Sequence, residues 1–351
     1  MIDTFFLNQI PPNSIFNAHI IIMKSITIAF SDFWSDFKYC DNFIVNVLSS
    51  KYHVNIVDIS ESPDILFYSF FGTAHLAVNP NTIKVYYSGE NDVPDFNICD
   101  YGISFHYINF GNRHFRLPLY VLFHAFELLR NPPPKAIRTD RRFCSMLVSN
   151  SNRCDPKRLS FFEQLNAYKP VSSGGKYANN VGGCVADKLS FISNYKFNIA
   201  FENSCVLGYT TEKMIDALAC GTVPIYWGNP LASLEIDERA FINVHKFNSF
   251  DKAIEHIIEV DNNNELYNQY LDVNPLKNSP YLQWEKALLD FLSNIIESKI
   301  KYVTPYGAMG AISCARIMQT RLYNVSELRS HIGTIELISK YKAKLMQMFR
   351  R

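Results

Sequence analysis

No Asp-x-Asp triplet occurs in the 351 residues, so a divalent metal bridging a diphosphate is not expected, although Glu90-Asn91-Asp92 and Glu235-Ile236-Asp237 have that spacing. If such a ligand binds, its charge must be met by Lys, Arg and helix dipoles. The eight cysteines include no Cys-x-x-Cys pair, which removes zinc-ribbon and thioredoxin readings and suits a reducing cytoplasm. Neither a Walker A motif nor a Gly-x-Gly-x-x-Gly is present. No long apolar run exists either. The stretch from Thr4 to Met23 lacks formal charge but holds Gln9, Pro11, Pro12, Asn13, Ser14 and Asn17, too polar for a span of roughly 20 apolar residues. Asp3 precedes it and no basic segment opens it, so it does not read as a signal peptide. Residues 1–22 are taken as an N-terminal extension.

What is present is a globular composition, 48% hydrophobic and 19% charged, long enough for two cores. The net charge of +1 conceals an imbalance. From Lys299 to Arg351 ten Lys and Arg face two Glu, leaving the remainder of the chain acidic.

Short β-branched and aromatic runs at Lys24–Phe30, His53–Ile59, Asp64–Phe70 and Ile83–Gly89 read as strands of a parallel sheet. The helical spacing of Phe43, Val47 and Leu48 lies between the first two, so the chain opens strand–helix–strand. Three prolines in Asn131–Arg142 form a stiff linker. Beyond it, strands are predicted at Arg142–Asn150, Phe197–Glu202 and Val223–Gly228, and helices at Pro156–Tyr168 and Thr211–Cys220. The expected organisation is α/β throughout: the extension 1–22, one domain over 23–135, a second over 142–300, and a tail over 301–351. In such sheets ligands bind at the carboxyl ends of the strands, here in the cleft between domains.

Four stretches carry chemistry. "GYTTEKMIDALACG" opens a helix with Thr210 or Thr211 as cap and Gly221 as its stop. A helix N-terminus with Lys213 in its first turn attracts an anion. Glu212 suits the dipole, repels phosphate and is suited to hydroxyls, so the set fits a nucleoside diphosphate carrying a sugar; taken alone it is equally an ordinary exposed first turn. In "KFNIAFENS" Glu202, Asn203 and Ser204 end a strand beside that helix. "SSGGKYANNVGG" can bring backbone N–H groups to phosphates, with Lys176 its one cation and Asn179 a further donor; alone it is also a plain surface loop. In "YYSGENDVPDFNICDYGISF" Glu90 follows a strand in the first domain, where a carboxylate can serve as general base. Asp92, Asp95 and Asp100 compete for that role on composition.

These stretches, with "FRLPLY" (Phe115–Tyr120) and the continuous segment "KFNIAFENSCVLGYTTEKMIDALACGTVPIYWGNP", resemble the α-1,3/4-fucosyltransferases of glycosyltransferase family 10, especially their bacterial members. The similarity runs from about Lys24 to about Phe291. It implies a GT-B fold, two Rossmann-like domains facing a cleft, with GDP-fucose bound by the second domain and an oligosaccharide or glycolipid acceptor against the first. It implies inverting, metal-independent transfer of fucose to GlcNAc or glucose of an N-acetyllactosamine-type glycan, with no cofactor. The family's base falls on Glu90, and its donor-contacting Tyr-x-x-Glu-Lys falls on Tyr209, Glu212 and Lys213. The donor set expected is Lys176, Asn179, Glu202, Asn203, Tyr209, Glu212 and Lys213. An Arg that some bacterial relatives use on the diphosphate falls on Ala178, and Lys176, Arg153 or Arg158 can replace it. The alternatives are another inverting GT-B transferase with a different nucleotide sugar, or a nucleotide-sugar-binding protein without turnover.

The tail "SELRSHIGTIELISKYKAKLMQMFRR" sets Leu328, Ile332, Ile335, Ile338, Tyr341, Leu345 and Met348 on one helical face and its lysines and arginines on the other. A basic amphipathic helix suits an anionic membrane surface. The expected location is the cytoplasm, with peripheral attachment to the inner membrane. The acidic body speaks against a nucleic-acid partner.

Overall fold

The structure, a computed structural model, describes residues 23–132, 140–149 and 155–303. The expected tail helix and Arg153 lie outside them.

Strand β1 (Ser25–Ser31) runs into helix α1 (Phe43–Ser49), whose second and third N–H groups, on Ile44 and Val45, are taken by the Asn42 side chain at 3.0 and 3.1 Å. Strands β2 (His53–Ile56), β3 (Ile65–Tyr68), β4 (Ile83–Tyr87), β5 (Tyr101–Ser104) and β6 (His114–Arg116) complete a sheet of order β2-β1-β3-β4-β5-β6, and helix α2 (His124–Arg130) follows. All its strand pairings are parallel. β3 and β4 are buried along their whole length, as a sheet covered on both faces requires.

After the proline linker, β7 (Arg142–Met146), α3 (Lys157–Tyr168), β8 (Val171–Ser173), α4 (Lys188–Ile192), β9 (Tyr195–Phe201), α5 (Glu212–Ala219), β10 (Val223–Trp227) and β11 (Ile242–Asn243) build a second parallel sheet, ordered β11-β10-β9-β7-β8. Its core is Phe143, Met146, Phe161, Leu165, Phe197, Ile199, Ile225 and Ile257, the last on helix α6 (Phe250–Asn262). Helix α7 (Asn264–Leu271) then leads toward α8 (Trp284–Ser298).

The two sheets carry all the strands predicted from sequence and add β5, β6, β8 and β11, each four residues or fewer. The start of the Gly-rich stretch, read as loop, is strand β8. Helix α8 also departs from the sequence reading. It falls within 142–300 but leaves the second sheet and buries Leu288, Leu292, Ile295 and Ile296 in the first domain's core, packed along α1. Glu297 then accepts from Lys51 at 3.0 Å and Tyr52 at 3.2 Å. Residues 301–303 are pinned to the first sheet by the fully buried Asp100, which accepts from the N–H of Tyr302 and Val303 (2.7 Å each) and from Lys301 Nζ (3.1 Å). That use makes Asp100 structural.

One buried ion pair joins the domains beneath the cleft. Arg116 of β6 donates to Glu235 at 2.6 Å and lies 3.9 Å over the ring of Tyr107, which donates to the same carboxylate at 2.7 Å. Gly208 sits there at φ +88°, where a Cβ would run into the carbonyl of Phe105, so only glycine lets the second domain's loop lie this close to the first.

Candidate active site

The second sheet changes winding direction between β7 and β9, since β8 lies on one side of β7 and β9 and β10 on the other. A ligand crevice is expected outside the carboxyl ends of the strands at such a point. A cavity of about 370 Å³ lies there. It is bounded by the end of β7 (Leu147, Val148, Ser149), by Gly174 and Gly175, and by Asn203 and the start of α5. Three cations line it: Arg158, Lys188 and Lys213. A larger apolar groove of about 720 Å³ runs between α1, α2 and α8 in the first domain, but Asp41, Glu127 and Glu285 on its walls would repel a diphosphate. Charge, not size, picks the smaller cavity.

The helix start is arranged for an anion in a way the sequence did not reveal. Thr211 holds the N-cap position of α5 but makes no capping bond. Its hydroxyl donates instead to Glu202 at 2.7 Å and accepts from Lys213 Nζ at 2.9 Å. No side-chain oxygen of the cap residue therefore competes for the helix's leading N–H groups. Glu202, expected as a donor contact, is fully buried. It accepts from Thr211 N (2.7 Å), Thr211 Oγ1 (2.7 Å) and Lys213 Nζ (3.0 Å), and it acts on the cavity only through Lys213. Burial pulls the Lys213 ammonium down, but Glu202 and then Glu212 outweigh it and raise its pKa. Glu212 is itself pushed up by burial, but Lys213, its own N–H and Lys188 overcome this and hold it below the usual carboxylate range. The first turn thus keeps both charges.

Arg158, on α3, is almost completely buried, and its Nη2 donates to the carbonyl of Phe201 (3.0 Å) and to Oδ1 of Asn203 (2.7 Å). It thereby fixes Asn203 at the cavity wall. Lys188 donates to Asp216 of α5 at 2.5 Å and was missed from sequence. Only the preceding capping residue, Asp187, marks its helix start, and nothing in the spacing points it at the cavity.

The Gly-rich stretch closes tightly over β7. A Cβ on Gly175 would overlap the backbone of Val148, and one on Gly174 would press on Val185. Asn179 ties the loop shut, donating to the carbonyls of Gly175 (2.7 Å) and Gly183 (2.9 Å). Its side chain shapes the loop instead of facing the cavity. Lys176 is exposed and outside the cavity lining. Ala178, at φ +50°, packs against the second domain's core. The cations at the cavity are therefore Arg158, Lys188 and Lys213, and Lys176 is not among them.

Across the cleft, Glu90 follows β4 through Ser88 and Gly89. Its N–H donates to Ser88 Oγ at 3.0 Å and its carbonyl accepts from Asp92 N at 2.8 Å, while the Tyr86 hydroxyl donates to the Asp92 carboxylate. The Glu90 side chain is exposed. Tyr209 of the second domain is buried against Phe105 of the first, ring centroids 5.0 Å apart. Its hydroxyl is pushed up to about 12 by burial first, then by Glu202, with Glu90 also contributing.

Two parallel α/β domains, an anion-accepting crevice at the strand ends of the second, and a carboxylate presented from the first fit the GT-B class of glycosyltransferases. The comparisons with known proteins agree. The model of the alpha-(1,3)-fucosyltransferase FucT N-terminal domain matches residues 28–123, and that of the glycosyltransferase family 10 (fucosyltransferase) C-terminal region matches residues 137–293. The chain is 32% identical over 322 residues to alpha-(1,3)-fucosyltransferase FucT of Helicobacter pylori, an alignment covering 79% of this chain and 67% of that one. It is 32% identical over 146 residues to 4-galactosyl-N-acetylglucosaminide 3-alpha-L-fucosyltransferase 9 of Mus musculus, covering 40% of each. A crystal structure of alpha1,3-fucosyltransferase with GDP-fucose superposes with a TM-score of 0.69 at 28% identity, over 85% of this chain and 96% of that one. A further crystal structure of alpha1,3-fucosyltransferase gives 0.71 at 29% identity, over 81% and 93%. The chain belongs to glycosyltransferase family 10, the fucosyltransferases, and is an enzyme of that family.

Proposed function

We propose that this enzyme transfers L-fucose from GDP-fucose to a GlcNAc or glucose hydroxyl of an N-acetyllactosamine-type oligosaccharide or glycolipid, forming an α-1,3 linkage with inversion and without a metal. One observation supports the reading above the others: the cavity at the strand ends of the second domain is lined by Arg158, Lys188 and Lys213, and Lys213 is held at 3.0 Å by the buried Glu202. Glu90 removes the proton of the acceptor hydroxyl. That oxygen attacks the anomeric carbon from the face opposite GDP, and the bonding electrons to the diphosphate oxygen leave with GDP. Lys213, Lys188, Arg158 and the start of α5 meet the departing charge. Asn203 and Glu212 are suited to the hydroxyls of the ribose or fucose.

The test is purified enzyme with GDP-fucose and N-acetyllactosamine in excess EDTA, reading GDP release and product linkage. An α-1,3-linked trisaccharide is expected, and loss of turnover on chelation overturns metal independence. Glu90→Gln should cost about 10²–10⁴ in kcat while GDP still binds. Near-native turnover in that variant removes Glu90 as the base. The basic amphipathic tail read from the sequence supports attachment to an anionic membrane. Cosedimentation with anionic vesicles, lost on truncation after Ser313, is the corresponding measurement.

A further inference from the structure

Helices α1, α2 and α8 enclose the apolar groove of about 720 Å³ that the mechanism above leaves unused. Phe43, Leu122, Trp284 and Leu289 line it, and Phe123, also in its wall, is exposed. Apolar surface gathered in a groove between helices favours a further helix laid along it.

The charge around the groove is one-sided. Asp41, Glu127 and Glu285 line it, and Lys286 is its only lining Lys or Arg. Lys286 is held by Asp290 at 2.7 Å, and Arg130 is shared between Glu127 and Glu285. With these neighbours counted, four carboxylates stand against two cations, which favours an occupant with basic flanks.

Two long segments, one at each end of the chain, lie outside the described residues. Residues 1–22 carry Asp3 and no Lys or Arg, so they bring no cation to those carboxylates. Residues 326–351 carry six Lys and Arg against two Glu, and set Leu328, Ile332, Ile335, Ile338, Tyr341 and Leu345 at helical spacing. Their reach is sufficient. The described residues end at Val303, whose N–H donates to Asp100 at 2.7 Å and which is thereby held to the first sheet. The 24 residues from 304 to 327 span up to roughly 80 Å when extended, whereas α8, which runs beside the groove, is only about 22 Å long.

We propose that the basic amphipathic segment 326–351 docks its apolar face in this groove of its own chain, with its lysines and arginines toward Asp41, Glu127 and Glu285. The face so covered is the one that would enter a bilayer. The groove is therefore its seat when no membrane is present, and the two sites compete for it.

The test uses the full chain in membrane-free buffer, so its outcome does not depend on the membrane reading. The photo-crosslinking residue p-benzoylphenylalanine replaces Asn46, an exposed residue of the groove wall, and in a control the exposed Glu163 of α3. After irradiation, bands of monomer mass on a denaturing gel are digested and crosslinked peptides are read by mass spectrometry. Crosslinks from position 46 to residues 326–351 within the monomer band, absent from position 163, are expected. Crosslinks confined to a dimer band give the groove to a second copy, and crosslinks that never reach 326–351 remove the segment from it; either result overturns the proposal. Limited trypsin digestion adds a rate. Cleavage after Lys340, Lys342 and Lys344 should be at least fivefold faster in Asn46→Arg, which fills the groove and sets a cation on its wall, with the unfolding temperature unchanged. Equal cleavage rates in the variant and the wild type overturn the proposal as well. Should Asn46→Arg fail to fold, Asp41→Lys, exposed and ahead of α1, takes its place.

Discussion

Replacing Glu202 by Gln isolates how the donor cavity holds its cation. The carboxylate is fully buried and accepts three hydrogen bonds. A Gln side chain keeps one oxygen, best placed to retain Thr211 Oγ1 and Lys213 Nζ. Its NH₂ then faces the Thr211 N–H, donor against donor. One charge-assisted bond is lost at about 1.5–3 kcal/mol, and the Lys213 ammonium loses its principal counter-ion. Lys213 retains 19% side-chain exposure and Glu212 at 3.8 Å, so part of that second loss is recovered. A net destabilisation of about 2–4 kcal/mol follows, or about 4–8 °C in Tm at roughly 2 °C per kcal/mol for a chain this large. Glu202 also supplies the main upward push on the Lys213 pKa. Without it burial dominates, and the ammonium loses its proton at lower pH. The variant should therefore show kcat lower by about 10²-fold and an alkaline limb of its pH–rate profile shifted to lower pH. Thermal unfolding and pH-dependent kinetics of wild type, Glu202→Gln and Glu202→Asp are the assay. An unchanged alkaline limb with lowered Tm would mean that Glu202 stabilises the fold without controlling Lys213, and the reasoning fails.

Gly175→Ala forces a Cβ into the Val148 backbone and should lift the Gly-rich loop, weakening GDP affinity at least tenfold as read by calorimetry, with a smaller effect on acceptor KM. His114, neutral in the fold down to about pH 4, is protonated in the unfolded chain below about 6.5. The unfolded state thus binds the extra proton between these values. Stability is full well above pH 6.5 and falls by about 3 kcal/mol as pH drops to 4; urea midpoints of His114→Gln should lack most of that slope. Arg116→Met leaves Glu235 buried without its cation and should cost about 3–5 kcal/mol, partly restored in Arg116→Met/Glu235→Leu, as a denaturation double-mutant cycle would register.

The sequence by itself determined the elements and the motifs. Strands such as "SITIAF" and "VPIYW" are continuous β-branched and aromatic runs, and a helix between Thr211 and Gly221 is bounded by its own residues, so short-range pattern was enough. The stretches that hold Glu90, Glu202, Asn203 and Lys213 were legible for the same reason, each being a strand end or helix start, where chemistry collects, whereas Tyr209 was singled out only by the family resemblance. Tertiary structure decided what those side chains touch. Thr211, a capping residue by pattern, spends its hydroxyl on Glu202, because β9 brings a buried carboxylate within 2.7 Å. Asn179 turns back on its own loop, and Lys188 arrives at the cavity from another helix. Helix α8 crosses to the first domain because the apolar surface beside α1 is there and not on the second sheet. Each of these is a contact between residues distant in sequence or competing for one partner. Local periodicity specifies which face of an element is apolar, but not which face of another element will meet it.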